Sequence, residues 1–123
     1  MVSPFHYKRV CSLIEGAGGD IVIGGLSSGR LEMTAILNPD KGSKLMKEEI
    51  FGPVFPIIDF EEIQEAIDYV RYEQEKPLVV YYFGDKSGPN AKQVESETSS
   101  GAFVVNETIY QILNARLPFG GVG

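Results

Sequence analysis

The sequence predicts an α/β fold with a largely parallel sheet and flanking helices. Three apolar segments predict strands at residues 54–58, 78–83 and 102–105. Between them, apolar residues at helical spacing predict helices over about residues 63–73 and 89–97. Because short links join these alternating elements, we expect right-handed crossovers and parallel pairing of the strands.

The N-terminal third predicts a helix followed by short strands. Apolar residues recur on one helix face over residues 10–17, and Gly18-Gly19 are suited to end that helix. Short strands are expected at residues 20–25 and 31–37, and a helical turn at residues 43–49.

Polar residues and prolines refine the boundaries of the later elements. The apolar run at residues 54–58 is typical of a strand covered on both faces, but Pro56 within it favours a strand start or a sheet edge. Asp59 and Glu62 have the capping-box spacing, which predicts a helix start. Pro89 suits the first turn of the following helix.

The composition limits both size and class. A chain of 123 residues with 43% hydrophobic and 23% charged residues is enough for one modest domain. Its net charge of −6 argues against a nucleic-acid partner, whose binding surface would be basic. No apolar run approaches the ~18 residues of a membrane span, and no signal peptide is recognised. Cys11 is the single cysteine, which fits a reducing compartment, so a cytoplasmic location is expected.

The strongest functional candidate is the segment Glu48 to Pro53, which we call the acid–aromatic loop. A carboxylate in it can accept hydrogen bonds from two neighbouring hydroxyls, such as those of a ribose. Phe51 offers a flat apolar face to a planar ring beside that sugar. From the residues alone, a helix-to-strand turn with solvated acids and a core phenylalanine is the simpler alternative.

Several segments together carry a family resemblance. Lys47 to Pro53, with the sequence KEEIFGP, resembles the EEIFGP signature of the aldehyde dehydrogenase superfamily, and Leu117 to Gly123 resembles its PFGG motif. Residues 97–101 and 104–106 resemble the fatty-aldehyde and class 3 branch. The order and spacing also fit, so residues 1–123 are expected to form a single partial domain, the C-terminal portion of an aldehyde dehydrogenase catalytic domain.

The resemblance implies oxidation of an aldehyde, of medium or long chain, to a carboxylic acid with NAD or NADP as hydride acceptor. By motif match, Glu49 would bind the nicotinamide-side ribose and Phe51 would pack near the nicotinamide. Phe119 would line the aldehyde tunnel, and Asn106 would organise the floor of the active site. The residues alone leave simpler roles open for the last two, a core aromatic and an asparagine that caps a strand end.

The resemblance assigns no catalytic residue to this chain. The family's nucleophilic cysteine lies in a Gln-x-Cys-type loop upstream of the matched region, whereas Cys11 lies on a predicted helix and is interpreted as a structural or incidental residue. We therefore expect an enzyme fragment without turnover of its own, which binds NAD or NADP only as part of a complete enzyme. His6 is the single histidine and is interpreted as a surface residue, so no metal site is expected.

Two other functions stay open. The chain could be a non-enzymatic interaction module that pairs with a full-length relative through unpaired sheet edges. It could also be a stand-alone nucleotide binder that uses Glu49 and Phe51. Fatty-aldehyde relatives often carry a hydrophobic C-terminal anchor, so membrane association stays open for a complete relative.

Overall fold

The computed structural model describes residues 3–27, 30–117 and 120–121. The chain divides into two compact units, residues 1–59 and residues 60–123. The helices are α1 (Pro4–Glu15), α2 (Lys44–Lys47), α3 (Ile63–Asp68) and α4 (Pro89–Glu97). The strands are β1 (Asp20–Ile23), β2 (Leu26–Ser27), β3 (Arg30–Leu31), β4 (Thr34–Leu37), β5 (Val54–Ile57), β6 (Val79–Tyr82) and β7 (Ala102–Val105). A π-helical turn (Tyr69–Glu73) continues α3, and a 3-10 turn spans Tyr110–Leu113.

The first unit contains a three-stranded sheet in the order β1-β4-β5. β1 is antiparallel to β4, while β5 runs parallel to β4 with Thr34 opposite Val54 and Leu37 opposite Ile57. β2 and β3 form a separate short antiparallel pair. Pro56 lies on the edge strand β5, as predicted, where its missing N–H does not interrupt an inner ladder.

The core of the first unit lies between α1 and this sheet. The predicted helix face is confirmed, because Val10, Leu13, Ile14 and Ala17 are all buried. They pack with Ile36, Leu45 and Val54 from the sheet and α2. α1 begins after Ser3, whose hydroxyl accepts a hydrogen bond from the backbone N–H of His6 at 3.1 Å, and it ends at Gly16, before the predicted Gly18-Gly19.

The prediction that β5 is covered on both faces is wrong. Val54 is buried in the core, but Phe55, which projects from the opposite face, is 45% exposed. Strand β1 likewise exposes its apolar side chains. In this unit the α1 side of the sheet is therefore the well-packed side. The apolar run in the sequence did not show whether one face of the strand or both faces are covered.

The second unit contains β6 and β7, which pair in parallel with Val79 opposite Ala102 and Tyr82 opposite Val105. α4 begins at Pro89, as predicted, and buries Ala91 and Val94. The predicted capping box is wrong, since Glu62 is the N-cap of α3 without a side-chain capping bond. The Asp59 side chain is used elsewhere, because its carboxylate accepts a hydrogen bond from Asn38 at 3.1 Å.

The protein thus has the predicted α/β class, but its strands pair differently from the prediction. The predicted strands at residues 54–58, 78–83 and 102–105 do not form one ladder, since β5 pairs with β4 while β6 pairs with β7. Parallel pairs β4–β5 and β6–β7 occur beside antiparallel pairs β1–β4 and β2–β3. The single-domain assignment stays a prediction. None of the helices in the described residues has the length and apolar character needed to cross a membrane.

The α1–sheet core gives a first testable expectation. Ile36→Ala should lower the free energy of unfolding by roughly 2–5 kcal/mol, because it deletes a fully buried side chain and leaves a cavity. Ile21 pairs with Ile36 across the β1–β4 ladder but is 51% exposed. Ile21→Ala is therefore the matched control and should cost less than about 1 kcal/mol. Urea denaturation followed by circular dichroism measures both, and equal losses would contradict this core.

Candidate functional site

The acid–aromatic loop is bound to helix α1 through its main chain. The Arg9 guanidinium donates from Nη2 to the carbonyl oxygens of Ile50 at 2.5 Å and Glu49 at 3.2 Å. Its Nη1 lies 3.4 Å from the carboxylate Oε2 of Glu48. One side chain of α1 therefore contacts three consecutive loop residues.

Two further residues of α1 complete this contact. His6 Nε2 lies 2.6 Å from the carbonyl oxygen of Phe51, so this nitrogen carries the proton and donates it. Val10 packs against Gly52, where an added Cβ would lie 3.0 Å from Val10 Cγ1. Since His6, Arg9 and Val10 are spaced by three and four positions on α1, they lie on one helix face.

His6 and Arg9 were missed as site residues in the sequence. His6 was considered only as a metal ligand and interpreted as a surface residue, and Arg9 received no role. Their helical spacing was visible, but the loop they contact lies about forty residues further along the chain, as the separations of 45 and 40 positions show. Within the described residues, no three His, Cys, Asp or Glu side chains come together as metal ligands.

The two adjacent carboxylates of the loop have different surroundings. Glu48 is paired with Arg9, whereas the Glu49 carboxylate is exposed and has no hydrogen-bond or ion-pair partner in the part of the chain that the structure describes. Both oxygens of Glu49 are therefore available to an incoming pair of hydroxyl groups. The carboxylate predicted to bind a ribose is the one that remains free.

Phe51 is held in an unusual backbone conformation with its ring outside the core. Its φ is +45°, a region that bulky side chains rarely adopt and that costs of order 1–3 kcal/mol. Its side chain is 75% exposed, so the alternative of a core phenylalanine is wrong. An exposed ring two residues after a free carboxylate can stack on a planar group while that carboxylate binds a neighbouring sugar.

Asn106 follows strand β7 with a φ of +57°. Its Oδ1 accepts from the Gly84 N–H at 2.8 Å, and its Nδ2 donates to the Gly84 carbonyl at 2.9 Å. The amide thus joins the ends of β6 and β7, which matches the simpler of the two predicted roles. We refer to this pair of bonds as the Asn106 bridge.

A second bridge of the same kind occurs in the first unit and was missed in the sequence. Asn38 follows β4 with a φ of +47°. Its Oδ1 accepts from the Asp59 N–H at 2.9 Å, and its Nδ2 donates to the Asp59 carboxylate at 3.1 Å. The signal available was an asparagine directly after a strand, a residue that tolerates positive φ.

The second unit also contains a cavity of about 390 Å³ beside β6 and β7. Leu78, Val79, Ile112 and Leu117 contribute apolar side chains to its wall. Gln111 adds a polar group, because its Nε2 donates to the Tyr81 hydroxyl at 2.8 Å while its Oε1 is buried without a hydrogen-bond partner in the described residues. Phe119, predicted to line an aldehyde tunnel, lies outside the described residues, and its role stays a prediction.

Cys11 lies on α1 beside the buried stripe and is partly exposed. Its hydrogen bond with Tyr7, one helical turn earlier, raises the pKa of the tyrosine hydroxyl above its usual value. The structure thus places Cys11 on α1 with its side chain partly exposed, and its interpretation as a structural or incidental residue stays a prediction.

Comparison with known proteins gives a consistent set of matches. The family model described as "Aldehyde dehydrogenase family" matches residues 1–123. The chain is 39% identical to the 4,4'-diaponeurosporen-aldehyde dehydrogenase of Staphylococcus aureus, covering 96% of this chain and 26% of the relative. It is 40% identical to aldehyde dehydrogenase family 3 member A2 of Rattus norvegicus, covering 96% of this chain and 24% of the relative. The chain thus spans about a quarter of the length of these relatives.

Solved structures give the same result. The substrate-bound state of Staphylococcus aureus AldH matches with a TM-score of 0.87 and 36% identity, covering 100% of this chain and 27% of that one. The 1-pyrroline-5-carboxylate dehydrogenase from Thermus with bound NAD matches with a TM-score of 0.83 and 26% identity, covering 99% and 24%. The two units therefore have counterparts in complete α/β enzymes.

The Asn106 bridge gives a second testable expectation. Asn106→Ala should lower the free energy of unfolding by roughly 1–3 kcal/mol, because it leaves both backbone groups of Gly84 without these partners. Asn90→Ala is the control, since Asn90 is exposed and its side chain has no partner among the described residues. Thermal unfolding measures both variants, and an Asn106→Ala protein as stable as the control would show that the bridge contributes nothing.

Proposed function

Because the chain belongs to the aldehyde dehydrogenase family, with class 3-type relatives, we propose that its acid–aromatic loop binds the nicotinamide riboside of NAD or NADP. The complete protein would oxidise aldehydes to carboxylic acids. The observation that carries this proposal is the combination of a free carboxylate at Glu49 with an exposed ring at Phe51, on a backbone fixed to α1.

The chemistry of hydride transfer explains why such a loop is needed. When bound, the dinucleotide supplies the hydride acceptor, and transfer requires the acceptor ring within a short and well-defined distance of the substrate. Glu49 would accept hydrogen bonds from both ribose hydroxyls and so fix the sugar. Phe51 would cover one face of the ring and limit its movement.

For the substrate we propose a medium- or long-chain aldehyde. The apolar cavity beside β6 and β7 supports this proposal, because an alkyl chain gains free energy where Leu78, Ile112 and Leu117 remove it from water. One relative is named for its aldehyde, as a 4,4'-diaponeurosporen-aldehyde dehydrogenase, which agrees with an aldehyde as the substrate class. Phe119 would line the aldehyde site, and Asn106 would support the floor of that site through its two bonds to Gly84.

We further propose that this chain corresponds to the C-terminal portion of the catalytic domain. The motifs from Lys47 to Pro53 and from Leu117 to Gly123 support that placement. The family's reaction needs a cysteine nucleophile, and Cys11, the one cysteine of this sequence, lies on α1 beside the core. A cytoplasmic location of the complete protein and association with a full-length relative stay predictions.

The role of Glu49 can be tested in a hybrid enzyme in which this chain replaces the matched segment of the Staphylococcus aureus relative. Glu49→Gln in the hybrid should raise the KM for NAD about tenfold, because it removes a charged acceptor of the ribose hydroxyls. Binding of ADP, which lacks the nicotinamide riboside, should not change. Steady-state kinetics and calorimetric titration measure the two effects.

Glu61→Gln is the matched control for that experiment. Glu61 is exposed, and its carboxylate has no partner in the residues that the structure describes. Its loss should leave the KM for NAD unchanged. The assignment of Glu49 fails if both variants behave alike, or if Glu49→Gln weakens ADP and NAD equally.

The isolated chain should show no dehydrogenase turnover and no measurable NAD binding. The physical reason is that the reaction needs a nucleophilic cysteine, a role that the family resemblance does not assign to Cys11, and that the loop contacts only one part of a dinucleotide. Purified chain, incubated with NAD and octanal, is assayed by the absorbance of NADH, with the hybrid enzyme as positive control. NADH production by the chain, abolished by Cys11→Ser, would overturn this expectation.

A further inference from the structure

We propose that Arg9 is the positioning residue of the acid–aromatic loop, holding the backbone from which Glu49 and Phe51 project and leaving the Glu49 carboxylate free. This inference rests on the proposed function, because the position of Glu49 affects cofactor binding only if Glu49 binds the nicotinamide riboside. The positioning itself is a separate physical claim about the loop.

The geometry of the guanidinium supports this role. Nη2 donates to two consecutive carbonyl oxygens, at 3.2 Å for Glu49 and 2.5 Å for Ile50. Two neighbouring peptide planes are thereby fixed relative to α1 by one planar group with donors in a rigid arrangement. A lysine at this position would offer a single ammonium and could not reproduce that arrangement.

The ion pair of Arg9 with Glu48 has a different effect. Its side chains are 27% and 45% exposed, so the attraction is screened by water and contributes little stability. It does decide which carboxylate is occupied, because the cation lies against Glu48 and makes no contact with the Glu49 carboxylate among the described residues. The Arg9 side chain thus binds the main-chain carbonyl of Glu49 and leaves the Glu49 carboxylate available.

The conformation of Phe51 supports the same conclusion independently. A bulky residue persists at a φ of +45° only where its surroundings fix the backbone. Arg9 holds the carbonyls of the two preceding residues, and His6 holds the carbonyl of Phe51 itself. Both come from α1, whose Val10 is buried in the core and also packs against Gly52.

The positioning is tested on the chain itself by NMR relaxation. Arg9→Met should lower the backbone order parameters of residues 49–52 from about 0.85 to below about 0.6, while the rest of α1 stays rigid. Lys8→Met is the matched control, because it removes a neighbouring positive charge that is exposed and has no partner in the described residues. Unchanged order parameters in Arg9→Met would overturn the inference. If Arg9→Met unfolds the chain, the order parameters of residues 49–52 are compared between Arg9→Lys and Lys8→Met instead.

The functional consequence is tested in the hybrid enzyme by a double-mutant cycle. Arg9→Met should weaken NAD binding about tenfold and leave ADP binding unchanged, with Arg9→Lys intermediate. Because Arg9 acts through Glu49, the Arg9→Met/Glu49→Gln double variant should bind NAD no more weakly than Glu49→Gln alone. Fully additive losses would overturn the inference.

The two proposals fail in distinguishable ways. If Glu49→Gln has no selective effect on NAD, the proposed function fails, while the order parameters of residues 49–52 still decide whether Arg9 positions the loop. If Glu49→Gln weakens NAD binding and Arg9→Met behaves like Lys8→Met, only the role of Arg9 fails.

Discussion

The contact between α1 and the acid–aromatic loop is the constraint on which the candidate site depends. α1 is fixed by its buried face, which packs on the three-stranded sheet. Its neighbouring face then supplies donors to three consecutive carbonyl oxygens, from Glu49 to Phe51. These carbonyls lie in a segment without regular secondary structure, where each polar group otherwise needs water or a side chain as partner. The core therefore determines where the carboxylate and the ring are displayed.

Local patterns in the sequence predicted a helix or strand well where a single short-range rule determines that element. The apolar stripe of α1, the strands β6 and β7, and Pro89 at the start of α4 are of this kind. The parallel pairing of β6 with β7 was predicted, but the pairing of β5 with β4 was not, because it depends on contacts between segments that no local pattern encodes. The capping box failed for a related reason, since Asp59 is engaged by Asn38, twenty-one positions earlier.

The candidate site likewise contains residues that the sequence indicated and residues that it did not. The family motif indicated Glu49 and Phe51, and the structure gives both an exposed side chain on one loop. Motif matching also indicated Asn106, whose amide is occupied by Gly84 in a structural bridge. It did not indicate His6 or Arg9, because a motif records which residues recur in a segment and not which distant helix supports it. The sequence thus indicated the residues proposed to contact the cofactor, but not the α1 residues that bind their backbone.

The two asparagine bridges differ in their resistance to chemical ageing. Deamidation begins when the backbone nitrogen of the next residue attacks the side-chain amide carbonyl, and it requires that this nitrogen carry a hydrogen. Asn38 precedes Pro39, which has no N–H, so this route is closed in the first unit. Asn106 precedes Glu107 and has no such protection. Conversion of Asn106 to aspartate would put a carboxylate oxygen against the Gly84 carbonyl, so of the two bridges it is the one at the end of the β6–β7 pair that this reaction would weaken.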